Sequence, residues 1–190
     1  MHTWTLDKPD NLVDWWEESA SKFADRRLFG TKNKNGVYEW LTYKEIDVRI
    51  KNLRAGLAQL DIGKDDVVGI IANNRFEWAI CSFATWGRLA RFVPMYEAEL
   101  IQIWKYIITD SQIKVLFVSK PEIYEKIKDF PKDIPTLKHI FIIDAEGDHS
   151  MAALEKKGAS APVAPQVPHP DDIAELIYTS GTTGNPKGVL

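Results

Sequence analysis

The alternation of apolar, strand-like segments with helix-like segments between residues 67 and 144 is the strongest constraint on the fold. The strand-like segments are 67–72, 91–95, 113–119 and 139–144. The helix-like segments are 75–86, 99–108 and 121–130, the last with Pro121 in its first turn. Continuous apolar strands that alternate with helices indicate a parallel sheet covered on both faces. The sequence therefore predicts an α/β fold: a partial doubly wound, mainly parallel sheet with helices on both faces.

The N-terminal region predicts an amphipathic helix over residues 11–24, with Asp10 or Asn11 as N-cap. Its apolar residues lie at helical spacing and are Leu12, Trp15, Trp16, Ala20 and Phe23. Paired tryptophans also suit a membrane-surface helix, but such helices usually carry lysine and arginine opposite the aromatic residues. The opposite face here is acidic, which favours packing against a core.

Two further elements precede the alternating region. Segments 28–31 and 37–41 flank Asn-Lys-Asn-Gly and predict a β-hairpin. Thr42 and Glu45 then have the spacing of a capping box. The apolar residues that follow recur every three or four positions and predict a long helix with one buried face: Ile46, Ile50, Leu53, Leu57 and Leu60.

Three parts of the chain are predicted from composition and pattern. Residues 11–157 form an α/β subdomain that ends in a helix over 150–157. Residues 158–170 hold four of the ten prolines and predict an extended connector. Residues 171–190 form a strand, at 173–178, and a loop. Because ligands bind open parallel sheets beyond the carboxyl ends of the strands, this loop is a candidate binding site.

The composition excludes several classes of protein. A net charge of -3 and a pI near 5.8 argue against a nucleic-acid-binding surface. The single cysteine, Cys81, lies in an apolar run and predicts a buried, inert thiol without disulfides. The four histidines have no metal-ligand spacing, no apolar stretch approaches about 18 residues, and the N-terminus does not resemble a secretory signal. A cytoplasmic protein is expected, with peripheral membrane contact left open.

The loop at residues 178–190 reads Tyr-Thr-Ser-Gly-Thr-Thr-Gly-Asn-Pro-Lys-Gly-Val-Leu. Glycines let backbone N–H groups converge on an anion, hydroxyls add donors, and a lysine supplies a positive charge. This composition predicts a polyphosphate-binding loop. It is not a Walker A loop, because Gly181 and Gly184 are only three apart and Gly188 stands where that motif has a hydroxyl. The glycine-rich pattern of protein kinases is absent too.

Residues 178–189 resemble, position by position, the phosphate loop of the adenylate-forming (AMP-binding) superfamily. That superfamily includes acyl-CoA synthetases, peptide-synthetase adenylation domains and luciferases. Segments 41–45, 67–78, 92–97 and 113–119 also resemble the superfamily, particularly its long-chain fatty acyl-CoA synthetases. The likeness begins near residue 11 and implies that residues 1–190 are the N-terminal part of an AMP-binding domain.

The resemblance implies a chemistry and a set of site residues. In this superfamily a carboxylate attacks the α-phosphorus of ATP, pyrophosphate leaves, and the acyl-adenylate passes its acyl group to CoA. Lys187 and Thr182 are expected to act in catalysis by stabilising charge on the leaving pyrophosphate. The expected phosphate-binding residues are Thr179, Ser180, Gly181, Thr182, Thr183, Gly184 and Lys187. Mg²⁺ is expected to accompany the ATP, and no residue of this chain is assigned as a metal ligand.

The same resemblance places the adenine-binding motif, the ribose-binding aspartate, the hinge and a second catalytic lysine after the loop. The expectation is therefore a fragment of an ATP-dependent fatty acid–CoA ligase that is inactive by itself. One alternative is a short, non-catalytic protein that binds a nucleotide or a partner. Another, within the superfamily, is an enzyme that activates an amino acid or an aryl acid.

Overall fold

A computed structural model describes residues 9–179 and 185–190. The helices of the described residues are α1 (Leu12–Lys22), α2 (Tyr43–Gln59), α3 (Phe76–Trp86), α4 (Ile101–Asp110), α5 (Pro121–Ile127), α6 (Phe130–Asp133) and α7 (Met151–Ala159). The strands are β1 (Arg27–Lys32), β2 (Tyr38–Thr42), β3 (Val67–Ile71), β4 (Arg91–Met95), β5 (Val115–Val118), β6 (His139–Ile142), β7 (Ile177–Thr179) and β8 (Lys187–Val189).

The central sheet has the strand order β4-β3-β5-β6, and each adjacent pair is parallel. Alternate side chains of its strands enter two separate apolar clusters. Val68, Ile70 and Phe92 pack with residues of α1, α2, α3 and α7. Val67 and Ile71 face the other way and pack with α4, α5 and α6. The predicted α/β fold, a mainly parallel sheet with helices on both faces, is confirmed.

Helix α1 begins after Asn11, whose side-chain oxygen accepts hydrogen bonds from the N–H groups of Val13 and Asp14 at 3.0 and 2.9 Å. The N-cap prediction is thus confirmed, but the predicted buried face is partly wrong. Trp16 is buried, whereas Trp15 is 42% exposed and Val13 takes the inner position instead. Consecutive helical residues point about 100° apart, so Trp16 points into the core while Trp15 lies at its edge, with its ring 6.4 Å from that of Phe83.

The hairpin β1–β2 is antiparallel, and the helix after it begins with the predicted capping box. The Glu45 carboxylate accepts from the Thr42 N–H at 2.7 Å, and the Thr42 hydroxyl oxygen accepts from the Glu45 N–H at 3.3 Å. Ile46, Ile50 and Leu53 are buried as their spacing predicts. Sequence and structure agree here because these interactions are local.

The predicted helix at 121–130 is two helices in the structure. Helix α5 ends at Ile127, and α6 begins at Phe130 with Pro131 in its first turn. Proline lacks an N–H to donate and its ring clashes with the preceding helical turn, so it suits the start of a helix and not its interior. Pro131 accounts for the break.

Helices α2 and α7 cross at unusually short range through glycines. The ideal Cβ of an alanine at Gly56 would lie 2.8 Å from Leu154 Cγ, and one at Gly158 would overlap the Asn52 carbonyl oxygen. These contact residues are four apart on each helix, as in ridges-into-grooves packing. The crossing therefore depends on the absence of side chains at both glycines.

After α7 the chain runs back past α2 and the end of α3 without a helix or strand between residues 161 and 169. It is nevertheless attached, because the Gln166 N–H donates to the Gly87 carbonyl at 2.9 Å and Arg54 Nε donates to the Val163 carbonyl at 3.3 Å. The chain thereby passes from the β6 edge of the sheet to the β4 edge.

The composition also led to predictions about Cys81 and about membrane-spanning segments. Cys81 belongs to α3 and is fully buried in the apolar cluster on that face of the sheet. Burial raises the pKa of its thiol well above the usual value, as expected for an inert cysteine. Within the described residues, no helix combines the length and the apolar character that crossing a bilayer requires.

Candidate functional site

The predicted phosphate loop lies between two short strands that pair with each other. Strands β7 and β8 are antiparallel, and their register sets Tyr178 opposite Gly188 and Thr179 opposite Lys187. Thr179 and Lys187, the two ends of the predicted site, therefore lie side by side where the paired strands meet the loop. Ser180, Gly181, Thr182, Thr183 and Gly184 lie outside the described residues, so their assignment stays a prediction.

The segment before β7 attaches the hairpin to the open edge of β4. Glu175 forms a parallel bridge with Phe92. The Phe92 N–H donates to the Ala174 carbonyl and the Leu176 N–H donates to the Phe92 carbonyl, both at 2.9 Å. Trp86 Nε1 donates to the same Ala174 carbonyl at 2.8 Å. The predicted strand at 173–178 is thus a single bridge at Glu175 followed by β7.

This attachment sets the direction of the loop. The segment runs parallel to β4, which ends at Met95, only three residues after Phe92. The loop that follows Thr179 therefore starts beyond the carboxyl end of the sheet, where α/β proteins bind ligands.

Lys187 is available to a ligand. Its residue is exposed, and it forms no ion pair within the part of the chain that the structure describes. Thr179 opposite it is exposed as well. A free ammonium group beside a hydroxyl is a suitable start for an anion site, because lysine binds phosphate as a mobile point charge.

A cavity of about 460 Å³ lies directly beside the hairpin. Thr179 and Pro186, from the two sides of the loop, form part of its wall. The remaining wall is mostly apolar and comes from the ends of β3 and β4 and from α3 and α4, including Trp78, Met95 and Ile103. An apolar cavity with a few polar groups at its rim is the usual form of a small-molecule site.

Glu175 is a partly buried acidic residue in the wall of this cavity. Burial raises the pKa of its carboxyl group above the usual value. A raised folded-state pKa means that the folded protein holds the proton more tightly than the unfolded chain does, so stability falls as pH rises through this range.

Glu175→Gln should therefore raise the midpoint of thermal unfolding at pH 7, where the glutamate is charged. The gain should disappear below about pH 4.3, the ordinary pKa of glutamate, because both side chains are then neutral. Thermal unfolding at several pH values measures the difference. Glu99→Gln is the matched control, since Glu99 lines the same cavity but is exposed. A gain that persists at pH 3 would contradict the account.

Ion pairs and hydrogen bonds also link the loops at the carboxyl end of the central sheet. Lys120, after β5, contacts Glu97 at 2.8 Å, and the Asn73 N–H, after β3, donates to Glu97 at 3.1 Å. Burial opposes charge on Glu97, but these hydrogen bonds prevail and lower the pKa of its carboxyl group. Arg75 joins Asp144, after β6, at 2.7 Å. These pairs tie the loops after β3, β4, β5 and β6 together.

The sequence alone did not identify these ion pairs, nor the roles of Trp86, Ala174 and Glu175 in holding the hairpin. Their partners are distant in the chain, and no local pattern marks them. In the described ranges, no group of three or more histidine, cysteine, aspartate or glutamate residues is arranged to hold a metal ion.

Comparison with known proteins identifies the family. The sequence profile described as AMP-binding enzyme matches residues 16–190. Long-chain-fatty-acid–CoA ligase 1 of Homo sapiens is 32% identical over 203 residues, which cover 97% of this chain and 29% of that protein. Fatty acyl-CoA synthetase A of Dictyostelium discoideum is 32% identical over 188 residues, covering 92% of this chain and 28% of that protein. The chain spans less than a third of the length of these relatives.

Solved structures agree on the fold. The anthranilate CoA ligase AuaEII, in complex with anthranoyl-AMP, has a TM-score of 0.81 and 24% identity over 94% of this chain and 33% of its own. A long-chain-fatty-acid-CoA ligase from Archaeoglobus fulgidus has a TM-score of 0.79 and 23% identity over 98% of this chain and 37% of its own. The loop pattern, the parallel sheet and the family match lead to one conclusion: the chain belongs to the AMP-binding enzyme family, and its sequence is similar to those of long-chain fatty acyl-CoA ligases.

Proposed function

We propose that this chain supplies the pyrophosphate-binding part of an ATP-dependent, AMP-forming acyl-CoA ligase. The observation that carries the proposal is the register of β7 and β8, which sets Thr179 beside Lys187 at the two ends of the hydroxyl- and glycine-rich loop. The loop binds the β- and γ-phosphates of ATP. Lys187 and the loop hydroxyls, Thr182 among them, stabilise the charge that develops as pyrophosphate leaves.

The proposed substrate is a fatty acid, which is activated as an acyl-adenylate and transferred to CoA. The names of the relatives at 32% identity support this choice. The fold does not discriminate between fatty acids and other carboxylic acids as substrates, since a structural neighbour is an anthranilate CoA ligase. Mg²⁺ arrives with ATP, because it prefers phosphate oxygens and water to a dedicated protein cage. A cytoplasmic location, with peripheral contact to membranes that hold the substrate, completes the proposal.

We further propose that residues 1–190 bind the phosphates without completing the reaction. The resemblance places the adenine- and ribose-binding groups and the second catalytic lysine after the loop, and the chain spans 29% of the human relative. No ATP–pyrophosphate exchange is therefore expected from this chain with any fatty acid. Exchange that Lys187→Ala abolishes would contradict the proposed inactivity while supporting the role of the lysine.

Lys187→Ala should weaken the binding of magnesium pyrophosphate by about tenfold, the usual order for one charge-assisted contact. Isothermal titration calorimetry on the 190-residue chain measures this affinity. Lys138→Ala is the control, because Lys138 is exposed just before β6, the edge strand farthest from β4 in the sheet order. Equal affinities for the wild-type chain and the Lys187→Ala variant would refute the proposed phosphate site.

A further inference from the structure

Tyr178 connects the hairpin of the proposed phosphate site to a helix on the sheet. It lies in β7, one residue before Thr179. Its hydroxyl donates a 2.6 Å hydrogen bond to the Asp110 carboxylate, and Asp110 is the last residue of α4. Hydrogen bonds of this length to a charged acceptor belong to the stronger class in proteins.

The ring of Tyr178 also fixes the second strand of the hairpin. Gly188 lies opposite Tyr178 in the register, and a Cβ added at Gly188 would stand 3.2 Å from Tyr178 Cζ and 3.4 Å from its hydroxyl oxygen. The ring therefore lies against β8 in space that most side chains would fill. Gly188 follows Lys187 directly, so the ring touches the backbone beside the proposed phosphate-binding lysine.

The environment keeps the Tyr178 hydroxyl in its donating form. Burial, followed by the hydrogen bond to Asp110, raises the pKa of the phenol above its usual value. The phenol is thus protonated across the physiological range, and the link between β7 and α4 persists.

We propose that Tyr178 is a positioning residue, which acts with Asp110 to hold the hairpin so that Thr179 and Lys187 face the carboxyl end of the sheet. The proposal rests on the proposed phosphate-binding function of the same hairpin. Its physical basis is preorganisation: β7 and β8 have three residues each, and an isolated hairpin of that size is marginal in water. Tyr178 supplies a tertiary anchor, so less ordering remains for the ligand to impose.

Amide hydrogen exchange of β7 and β8 tests the anchor without any ligand. Tyr178→Phe and Asp110→Ala should each speed exchange in these strands by about tenfold, the effect of losing one hydrogen bond to a charged group. The double variant should be no faster than either single one, because both changes remove the same bond. Asp110→Asn keeps an acceptor oxygen and should restore most of the protection. Tyr124→Phe, on α5, is the matched control.

Titration with magnesium pyrophosphate tests the positioning role in the same variants. Tyr178→Phe and Asp110→Ala should lower the affinity about fivefold to tenfold, with the midpoint of global unfolding almost unchanged. Faster exchange with unchanged affinity would overturn the positioning role. Unchanged exchange would overturn the anchor itself. Faster exchange in a chain whose wild type does not bind pyrophosphate would support the anchor and refute the proposed phosphate function.

Discussion

Gly158→Ala is expected to destabilise the protein by about 3 kcal/mol, although glycine-to-alanine in an exposed helix is stabilising by about 1 kcal/mol. The new Cβ would overlap the Asn52 carbonyl oxygen and stand 2.5 Å from the Gly56 nitrogen. Both are backbone atoms of α2, so no rotamer change relieves the overlap. Helices α2 and α7 must move apart, and the apolar contacts around Leu154 are weakened as they do.

Urea denaturation followed by circular dichroism measures the change in the free energy of unfolding. Gly63→Ala is the control, because an added Cβ there meets nothing within 4 Å. It should alter the stability by less than about 0.5 kcal/mol. A Gly158→Ala variant as stable as the wild type would show that the two helices do not cross as closely as described.

The second large effect is expected at Arg54, whose loss should cost about 2–3 kcal/mol. Arg54 is only 3% exposed, and its guanidinium donates to Glu17 at 3.0 Å and to the Val163 carbonyl at 3.3 Å. Its aliphatic part also packs against Gly87, where an added Cβ would lie 2.8 Å from Arg54 Cδ. Arg54→Ala would therefore remove one link from α2 to α1 and one from α2 to the connector, and would leave a cavity.

Lys51→Ala is the matched control for Arg54→Ala in the same unfolding experiment. Lys51 approaches the same carboxylate at 3.9 Å, but its side chain is 47% exposed. Such a surface pair contributes about 0–1 kcal/mol. Arg54→Met, which restores most of the volume without the charge, should recover part of the loss. If the lysine and arginine variants are equally stable, burial of Arg54 has no energetic consequence.

The parts of the fold that could be predicted are those that local chemistry determines. The capping box of Thr42 and Glu45 and the spacing of Ile46 and Ile50 require only neighbours within a few residues, and all four behave as expected. The strands of the central sheet are also readable, since fully buried strands are apolar throughout.

The failures arise where a distant partner decides the outcome. Trp15 and Trp16 are chemically identical, but Trp16 alone is buried, where its ring stacks 6.0 Å from Tyr43 and its Nε1 donates to Asp47. Strand β8 could not be foreseen either. It contains Gly188, a poor strand former, and Gly188 lies against the ring of Tyr178 in the strand opposite.

In the candidate site, too, the features set by local sequence could be predicted and those set by distant partners could not. The residue types of the loop are visible in the sequence and predict an anion ligand. The bond between Tyr178 and Asp110 and the bridge between Glu175 and Phe92 join residues 68 and 83 positions apart, and only the folded chain brings them together.

The Ala174 carbonyl accepts hydrogen bonds from both the Phe92 N–H and Trp86 Nε1. Insertions before this point and insertions after it are therefore expected to have different effects on the fold. Doubling the length of a flexible loop costs only about 0.6 kcal/mol, so the connector before residue 170 can gain residues at little energetic expense away from Val163 and Gln166, where it is hydrogen-bonded. A single residue inserted between Ala174 and Tyr178 would instead turn the tyrosine to the opposite face and away from Asp110. The loop can thus be delivered to the sheet by connectors of many lengths, but only in one register.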